Sequence, residues 1–281
     1  IISDFIMAER MLRYYLQHVC GNRIYKPNII ISLPSETNDL ERRTFLDVVT
    51  LSGAGRVCMV DGILASAFGS GIETDKAGGR MVIDIGHHVT EYAVITAGCV
   101  AASGQIKHGS YKIDKAIINH LKKDRDIIVG PHTARKIKNM ITSAEQRECE
   151  TALFVSGKSY LDNMPISFEV TSTEIYPYVD EQINILVNDI HEGIRQVSPD
   201  LLSDAADHGI FICGGGSLIF DINDRLSSQL GIRCNIVDDP RYAKIKGLGI
   251  LCENDTLLEQ NGYRFIFKDE IRDRIRKFDK I

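Results

Sequence analysis

The sequence predicts an α/β fold with a ligand cleft, because two glycine turns follow apolar strands at widely separated points of the chain. The first lies in the stretch 81–104, where an apolar strand broken only by Asp84 runs into Gly86 and two further β-rich segments follow. The second lies at 214–216, where three glycines directly follow the apolar strand 210–213. Two such turns are typical of a ligand held in a cleft.

Each turn suits a phosphorylated ligand. The backbone N–H groups of a glycine turn can bind phosphate oxygens, and the carboxylate of Asp84 can hold a hydrated Mg²⁺ that neutralises them. The alternative for the first turn is a plain hairpin with a surface aspartate. At the second turn, the glycines let a flat or phosphorylated ligand approach, and Ser217 is expected to cap a helix that extends to about residue 230.

The other elements follow from apolar periodicity, capping residues and glycine stops. In the first part of the chain we expect a helix capped by Ser3 or Asp4, the strand 29–33, a helix from Asn38 or Asp39 to Gly53, the strand 56–60 and a small-residue helix ending at Gly69. Later we expect helices at 115–123, from Pro131 or Thr133, and at 178–197, with strands at 152–155 and 166–170 in a small subdomain. In the tail, Ile271, Ile275 and Phe278 predict an apolar stripe that docks on the first domain.

Composition limits the class of protein. With 281 residues, 44% hydrophobic and 25% charged, the chain can form two α/β cores. A net charge of −5 gives no electrostatic reason to expect nucleic-acid binding. Seven cysteines without CxxC spacing favour reduced thiols in a cytoplasm, and no apolar run approaches the roughly 18 residues that span a bilayer.

Eight segments, in the same order along the chain, carry a resemblance to a known family. They are MLRYYL at 11–16, KPNIIISLPS at 26–35, ERRTFLDVVTLSGA at 41–54, VIDIGHHVTEYAVI at 82–95, KAIINHL at 115–121, GPHTARKIK at 130–138, GIFICGGGSLI at 209–219 and DDPRYAKIKGLG at 238–249. Together they resemble the MreB/Mbl family of bacterial actin homologues along nearly the whole length.

The resemblance implies an actin-like ATPase fold, of the ribonuclease H-like kind, with two related α/β domains around a nucleotide cleft. It assigns 1–80 to the first domain, 81–112 with 175–250 to the second, 113–174 to a small inserted subdomain, and 251–281 to a tail on the first domain. The family begins with a hairpin that carries another Asp-x-Gly loop. Neither feature appears before Ile1, so the first domain is expected to be incomplete.

The resemblance also implies ATP and Mg²⁺ as cofactors and assigns residues to them. Asp84 would hold Mg²⁺ through water, while Gly86 and His87 would lie in the phosphate loop. Lys138 would border the adenine and ribose, although a solvated helix lysine is the alternative. The adenosine side would be formed by Gly214, Gly215, Gly216 and Ser217.

The sequence departs from the family pattern at the positions whose residues the family uses to hydrolyse ATP. The glutamate expected to orient the attacking water falls at Gly62, and the threonine that helps position it falls at Val89. Hydrolysis depends on such placement, so whether the chain is an enzyme stays open. Asp61 and Thr90 are the candidate catalytic residues that could compensate. Other departures are His87-His88 in place of two glycines, Ser110-Tyr111 in place of Gly-Asp, and Arg135 in place of the ribose-binding glutamate.

By resemblance, Ile24 and Tyr25 occupy an apolar loop that dips into the membrane, flanked by the cations Arg23 and Lys26. An ordinary loop packed on the domain is the alternative. The implied protein is a cytoplasmic, membrane-peripheral filament former that associates with itself and with membrane proteins of cell-wall synthesis and determines cell shape.

Three functional hypotheses therefore stay open. The first is a cell-shape filament protein that binds ATP with weak or no hydrolysis. The second is an active ATPase of the same family. The third is another actin-fold protein, a sugar or acetate kinase or an Hsp70-type chaperone ATPase, although no substrate-binding insertion or peptide-binding domain is visible.

Overall fold

A computed structural model describes residues 2–21, 25–74, 76 and 78–267. The helices are α1 (Phe5–Cys20), α2 (Asp39–Leu51), α3 (Gly62–Gly69), α4 (Tyr111–Asp124), α5 (Pro131–Ile141), α6 (Ser172–Ile194), α7 (Pro199–His208), α8 (Ile222–Leu230), α9 (Ala243–Glu253) and α10 (Asp255–Gln260). The strands are β1 (Asn28–Leu33), β2 (Arg56–Asp61), β3 (Arg80–Ile85), β4 (Thr90–Thr96), β5 (Cys99–Ile106), β6 (Ile127–Ile128), β7 (Ala152–Ser159), β8 (Pro165–Thr171), β9 (Ile210–Cys213), β10 (Cys234–Ile236) and β11 (Ile266–Phe267). The described residues form three sheets.

The first sheet has the strand order β1-β2-β11. β1 and β2 run parallel, and the short strand β11 pairs antiparallel with β2. The intervening helix α2 begins where the sequence predicts, because the side chain of Asn38 accepts from the N–H of Glu41 and the Glu41 carboxylate accepts from the N–H of Asn38. The expected cap of α1 is also confirmed, since Asp4 accepts from the N–H of Met7.

The central sheet has the order β10-β9-β3-β4-β5 and contains, as β3, β4 and β5, the strand and the two β-rich segments predicted in the stretch 81–104. β3 and β4 pair antiparallel, β4 and β5 follow through the tight turn at Ala97-Gly98, and both turn residues have positive φ. Every residue of β3 is buried, which explains its almost continuous apolar sequence. β9 lies parallel to β3 on the side away from the hairpin.

The third sheet, β6-β7-β8, contains the two strands expected at 152–155 and 166–170, which lie in β7 and β8. Helices α4, α5 and α6 pack with it and with the central sheet in one continuous apolar core. α6 is longer at its start than predicted, because the hydroxyl of Thr171 accepts from the N–H of Glu174 and caps the helix there.

Helices α3 and α9 touch backbone to backbone. A Cβ at Gly69 would overlap the carbonyl of Ala243, and a Cβ at Gly247 would overlap the carbonyl of Ala65. The small residues of α3, predicted from sequence to allow close packing, therefore let α9 approach a buried helix that lies beside the central sheet. This contact positions the first turn of α9 close to the ends of β2 and β3.

One element prediction was wrong. Ser217 caps no long helix: it lies in a short 3₁₀ turn, Gly215–Leu218, and α8 begins only at Ile222 after Asp221 in left-handed backbone conformation. The tail prediction for Ile271, Ile275 and Phe278 falls outside the described residues. The described end of the chain reaches β11 on the first sheet. The division into domains drawn from the sequence stays a prediction.

Candidate functional site

The two glycine turns lie side by side at one edge of the central sheet. β3 and β9 are parallel neighbours in which Asp84 pairs with Cys213, so Gly86 and Gly214 follow adjacent strand ends. Gly214 has φ +86°, and a Cβ there would overlap the Asp84 carboxylate. A Cβ on Gly86 would lie 2.6 Å from the carbonyl oxygen of Val89. Ligands of α/β folds bind at this carboxyl edge of parallel strands. Folding therefore brings the two glycine turns, which are far apart in the sequence, together at a position where a ligand can bind.

The members of the Gly-Gly-Gly-Ser run have different surroundings. A Cβ at Gly216 would overlap the side chain of Ile85, whereas none of the described residues lies within 4 Å of a Cβ built at Gly215. Ser217 is fully buried and its hydroxyl donates to the carbonyl of Gly214 at 2.8 Å. Gly215 alone of this run therefore presents its backbone to open space, while the other three residues hold the turn in shape.

That open space is a cleft of about 420 Å³. Its lining residues are His87, Ser110, Arg135, Lys138, Asn139, Gly215, Leu218, Ile219 and Arg241. Three of them, His87, Lys138 and Gly215, were predicted as nucleotide-binding residues. Arg241 was not predicted, because nothing local marks it. Its place in the segment 238–249 of the family resemblance was the one available indication. Three cationic side chains around a cleft favour an anionic ligand.

The ammonium of Lys138 is already paired inside the protein. Its Nζ lies 2.9 Å from Oδ1 of Asp114 and donates to the carbonyl of Ser110 at 3.3 Å, and Lys138 and Asp114 are 6% and 2% exposed. The alternative considered from the sequence, that Lys138 is a solvated lysine on a helix, is therefore wrong, because this side chain is buried. Its role beside a ribose stays a prediction. Arg135 and Arg241 supply the more exposed positive charge.

His87 fills part of the cleft mouth that a glycine would leave open. Its Nε2 lies 3.0 Å from an Arg135 nitrogen, and its ring packs edge-on against His88 and Tyr111. Burial, together with the cations Arg135 and Lys138, lowers the pKa of His87. The lowered pKa favours the neutral imidazole over the imidazolium at this position.

Asp84 and Glu91 form a buried acidic pair around one lysine. Oδ2 of Asp84 accepts from the hydroxyl of Ser66 at 2.8 Å and lies 3.1 Å from Nζ of Lys244. Oε2 of Glu91 lies 3.0 Å from the same Nζ, while its Oε1 accepts from the backbone N–H of Ser35 at 3.0 Å. Burial by itself lowers the pKa of Lys244, but the two carboxylates outweigh it and raise that pKa, so the side chain is an ammonium.

These contacts test the fit of the Mg²⁺ expected at Asp84. The oxygen Oδ2 already has a hydroxyl and an ammonium as partners, and Oδ1 packs against Gly214. The described residues contain no group of three or more His, Cys, Asp or Glu side chains that could hold a metal ion. Asp84 as it stands is a poor fit for a hydrated divalent ion. Lys244, Glu91 and Ser66 were not predicted from sequence, because their proximity arises only from long-range contacts.

The residues proposed to replace the missing water-binding groups are otherwise engaged. The Asp61 carboxylate accepts from the hydroxyl of Tyr263 at 3.0 Å and lies 3.6 Å from Arg42. Thr90 is fully buried and donates its hydroxyl proton to the carbonyl of His108 at 2.7 Å. Neither geometry favours activation of water at the cleft, and both catalytic assignments stay predictions.

The membrane loop is described only in part, because Ile24 lies outside the described residues. Tyr25 is 86% exposed, so its ring is free to meet another surface. Among the described helices, none combines the length and apolarity that crossing a bilayer requires. Contact of Ile24 and Tyr25 with a membrane stays a prediction.

Acidification should destabilise the fold, because it favours protonation of the buried histidine His108. Burial lowers the pKa of this histidine, Lys112 adds to the shift, and the carboxylate of Asp189, 3.3 Å from Nδ1, opposes it. The histidine of the unfolded chain has a pKa of about 6.5, so above that pH the ring is neutral in both states. As the pH falls, the unfolded chain takes up the proton first, and the free energy of unfolding decreases until the pH has passed the lower folded-state pKa. We expect the melting temperature to fall over this window, and to fall less steeply in His108→Gln. Equal slopes in both proteins would contradict the assignment.

Comparison with known proteins supports the resemblance found in the sequence. A family model described as MreB/Mbl protein matches residues 1–260. The cell shape-determining protein MreB of Escherichia coli (strain K12) is 30% identical over 251 residues, which are 89% of this chain and 72% of that protein. The cell shape-determining protein Mbl of Bacillus subtilis (strain 168) is 26% identical over 255 residues, 90% of this chain and 77% of that protein.

The fold has solved counterparts. MreB5 of Spiroplasma citri bound to ADP superposes with a TM-score of 0.85 at 24% identity, over 92% of this chain and 78% of that one. A chain of the MamK double helical filament superposes with a TM-score of 0.71 at 14% identity, over 90% of this chain and 77% of that one. The predicted actin-like fold is thereby confirmed. The family match and the relative at 30% identity show that this chain belongs to the MreB/Mbl protein family.

Proposed function

We propose that this chain is a nucleotide-binding, filament-forming protein that determines cell shape, and that it hydrolyses ATP weakly or not at all. As in the sequence-based hypothesis, it would act at the inner face of the cytoplasmic membrane and organise proteins of cell-wall synthesis. Self-association is supported by relatives that are cell-shape proteins and by the fold shared with a filament subunit.

Nucleotide binding is supported by the cleft itself. Its volume of about 420 Å³ falls in the range of small-molecule sites, and Arg135 and Arg241 line it. Gly215 presents its backbone there without a side chain. MreB5 of Spiroplasma citri, which shares the fold, has been solved with ADP and with AMPPNP. Asp84 already pairs with Lys244, so the proposed function includes no Mg²⁺ at that carboxylate.

Weak hydrolysis rests on one observation: the position expected to carry a water-orienting carboxylate is Gly62, and a lysine lies against it. A Cβ at Gly62 would be 3.1 Å from Nζ of Lys244. An ammonium has no acceptor with which to take a proton from water, so it cannot replace a general base. Val89 supplies no hydroxyl for a water, and Thr90 uses its own on a backbone carbonyl.

The proposal predicts binding of ATP without appreciable phosphate release. The measurements are ATP affinity by calorimetry and phosphate release over time, on the full-length native protein. The matched comparison is the triple variant Gly62→Glu/Val89→Thr/Lys244→Ala, which restores both water-binding groups and removes the lysine whose Nζ would lie 3.1 Å from the new Cβ. We expect the variant to release phosphate faster than the wild-type chain, because an in-line water then has a holder.

Three other outcomes would contradict the proposal in different ways. Release by the wild-type chain at the rate of an intact family member would favour the active ATPase. Release only with a sugar or acetate acceptor would favour a phosphotransferase. No binding of ATP at all would exclude the proposed nucleotide binding.

Sedimentation of the same samples with and without anionic liposomes tests filament formation and membrane contact. Failure to sediment in either condition would exclude both filament formation and membrane contact.

A further inference from the structure

The ammonium of Lys244 lies beside Asp84, where the family resemblance implies a bound Mg²⁺. Its Nζ lies 3.1 Å from Oδ2 of Asp84 and 3.0 Å from Oε2 of Glu91, and both carboxylates are buried. One ammonium thus contacts two acidic groups that otherwise lack a cationic partner among the described residues. Unpaired carboxylates buried in this way would be strongly destabilising.

The surrounding backbone keeps the lysine in this position. α9 carries Lys244 in its first turn, and the contact of Gly247 with the carbonyl of Ala65 presses that turn onto α3. Gly62 begins α3 and leaves space for the lysine, because a Cβ there would lie 3.1 Å from Nζ and 3.3 Å from Cε. The side chain of Lys244 therefore occupies the space that a side chain at position 62 would need.

The charge at this point works against a metal ion. A divalent cation coordinated through water to Asp84 would lie within a few ångströms of the ammonium, and like charges so close in a poorly solvated site repel each other. The hydroxyl of Ser66 also uses the same carboxylate oxygen, at 2.8 Å. A metal ion would have to displace both partners of Oδ2.

We propose that the ammonium of Lys244 is a built-in cation that takes the place of the divalent metal ion at Asp84. The chain then holds its acidic pair neutralised without a metal. Insofar as it binds a nucleotide, which rests on the function proposed above, it binds the free nucleotide and the magnesium complex with similar affinity.

The first experiment needs no nucleotide and uses Mn²⁺ as the probe. Bound Mn²⁺ is counted by electron paramagnetic resonance, and melting temperatures are compared in EDTA and in Mn²⁺. We expect the wild-type chain to bind no Mn²⁺ at Asp84 and to melt at the same temperature in both. Lys244→Ala should melt lower in EDTA, recover in Mn²⁺ and bind one ion that the additional change Asp84→Asn removes.

Two further variants make this experiment decisive. Lys246→Ala is the matched control, because Lys246 lies on the same helix but pairs with Asp239 at 2.6 Å on the surface. It should behave like the wild-type chain. Lys244→Met keeps the length of the side chain and replaces the alanine variant if that does not fold. The proposal is overturned if the wild-type chain binds an ion that Asp84→Asn abolishes, or if neither Lys244 variant gains one.

The second experiment compares ATP affinity in EDTA and in Mg²⁺. We expect less than about a threefold difference for the wild-type chain, and at least about a tenfold gain with Mg²⁺ for Lys244→Ala. A large Mg²⁺ dependence in the wild-type chain would overturn the proposal. If no form of the protein binds ATP, the proposed nucleotide function fails while the Mn²⁺ measurement still decides the role of Lys244.

Discussion

Replacing Asp114 by leucine should lower the free energy of unfolding by about 3 to 5 kcal/mol, the loss typical of removing one partner from a buried ion pair. The Asp114 carboxylate lies 2.9 Å from Nζ of Lys138, and both side chains are almost fully buried. Without the carboxylate, the ammonium is left in a poorly solvated place with the carbonyl of Ser110 as its remaining acceptor. Denaturant unfolding of the variant measures the loss.

A double-mutant cycle separates the pair from its surroundings. Lys138→Met alone should also destabilise the fold, because it leaves the buried carboxylate with only the more distant cation Arg135, whose Nε lies 3.8 Å from Oδ2 of Asp114. Asp114→Leu/Lys138→Met should lose much less than the sum of the single changes, since two apolar groups replace two charges together. The matched control is Arg195→Met, which breaks the exposed pair of Arg195 and Glu192 at 3.1 Å and should change stability by less than about 1 kcal/mol. Additive single effects would show that the two buried groups do not act as a pair.

Replacing Gly247 by alanine should destabilise the fold by about 3 kcal/mol, at the upper end of what overpacking causes. The added Cβ would overlap the carbonyl of Ala65 and approach the backbone N of Gly69 at 2.9 Å. Both neighbours are backbone atoms of a buried helix, so α3 and α9 must separate. Because Lys244 lies one turn before Gly247, its approach to Asp84 should lengthen as well. Thermal or denaturant unfolding measures the loss.

The control for this prediction lies two residues further along the same helix. None of the described residues lies within 4 Å of a Cβ built at Gly249, so Gly249→Ala adds helix propensity without a clash. It should leave stability unchanged or raise it by up to about 1 kcal/mol. If the two alanine variants unfold alike, the close contact of α3 with α9 is not a stabilising feature of the molecule.

Local patterns were enough to predict most of the elements. The strand that ends at Ile85 and the start of the helix at Asn38 or Asp39 are each predicted from a few consecutive residues, and each formed as expected. These features depend on short-range sterics and hydrogen bonds, which a sequence window contains. The helix expected at Ser217 failed for the opposite reason. Its hydroxyl donates to the carbonyl of Gly214 in the interior, because burial of this side chain outweighs the preference of serine for the first position of a helix.

The candidate site divides in the same way. Gly86, Gly215 and Lys138 were predicted from turn chemistry and family resemblance, and the last two line the cleft. The lowered pKa of His87 was not predictable, since it depends on burial and on Arg135, which folding brings close to the imidazole.

The amino-acid sequence is enough to predict the α/β class, the strand-and-glycine units, the order of the helices and membership of the MreB/Mbl family. All of these are written in consecutive residues or in the order of short segments. The contacts of Asp84, in contrast, arise only when the chain folds. Its partner Lys244 arrives on a distant helix that can come close because Gly247 and Gly69 let two backbones touch, and Gly62 leaves the lysine room. Side chains so far apart along the chain meet only after the core has packed, so no local pattern records their contact.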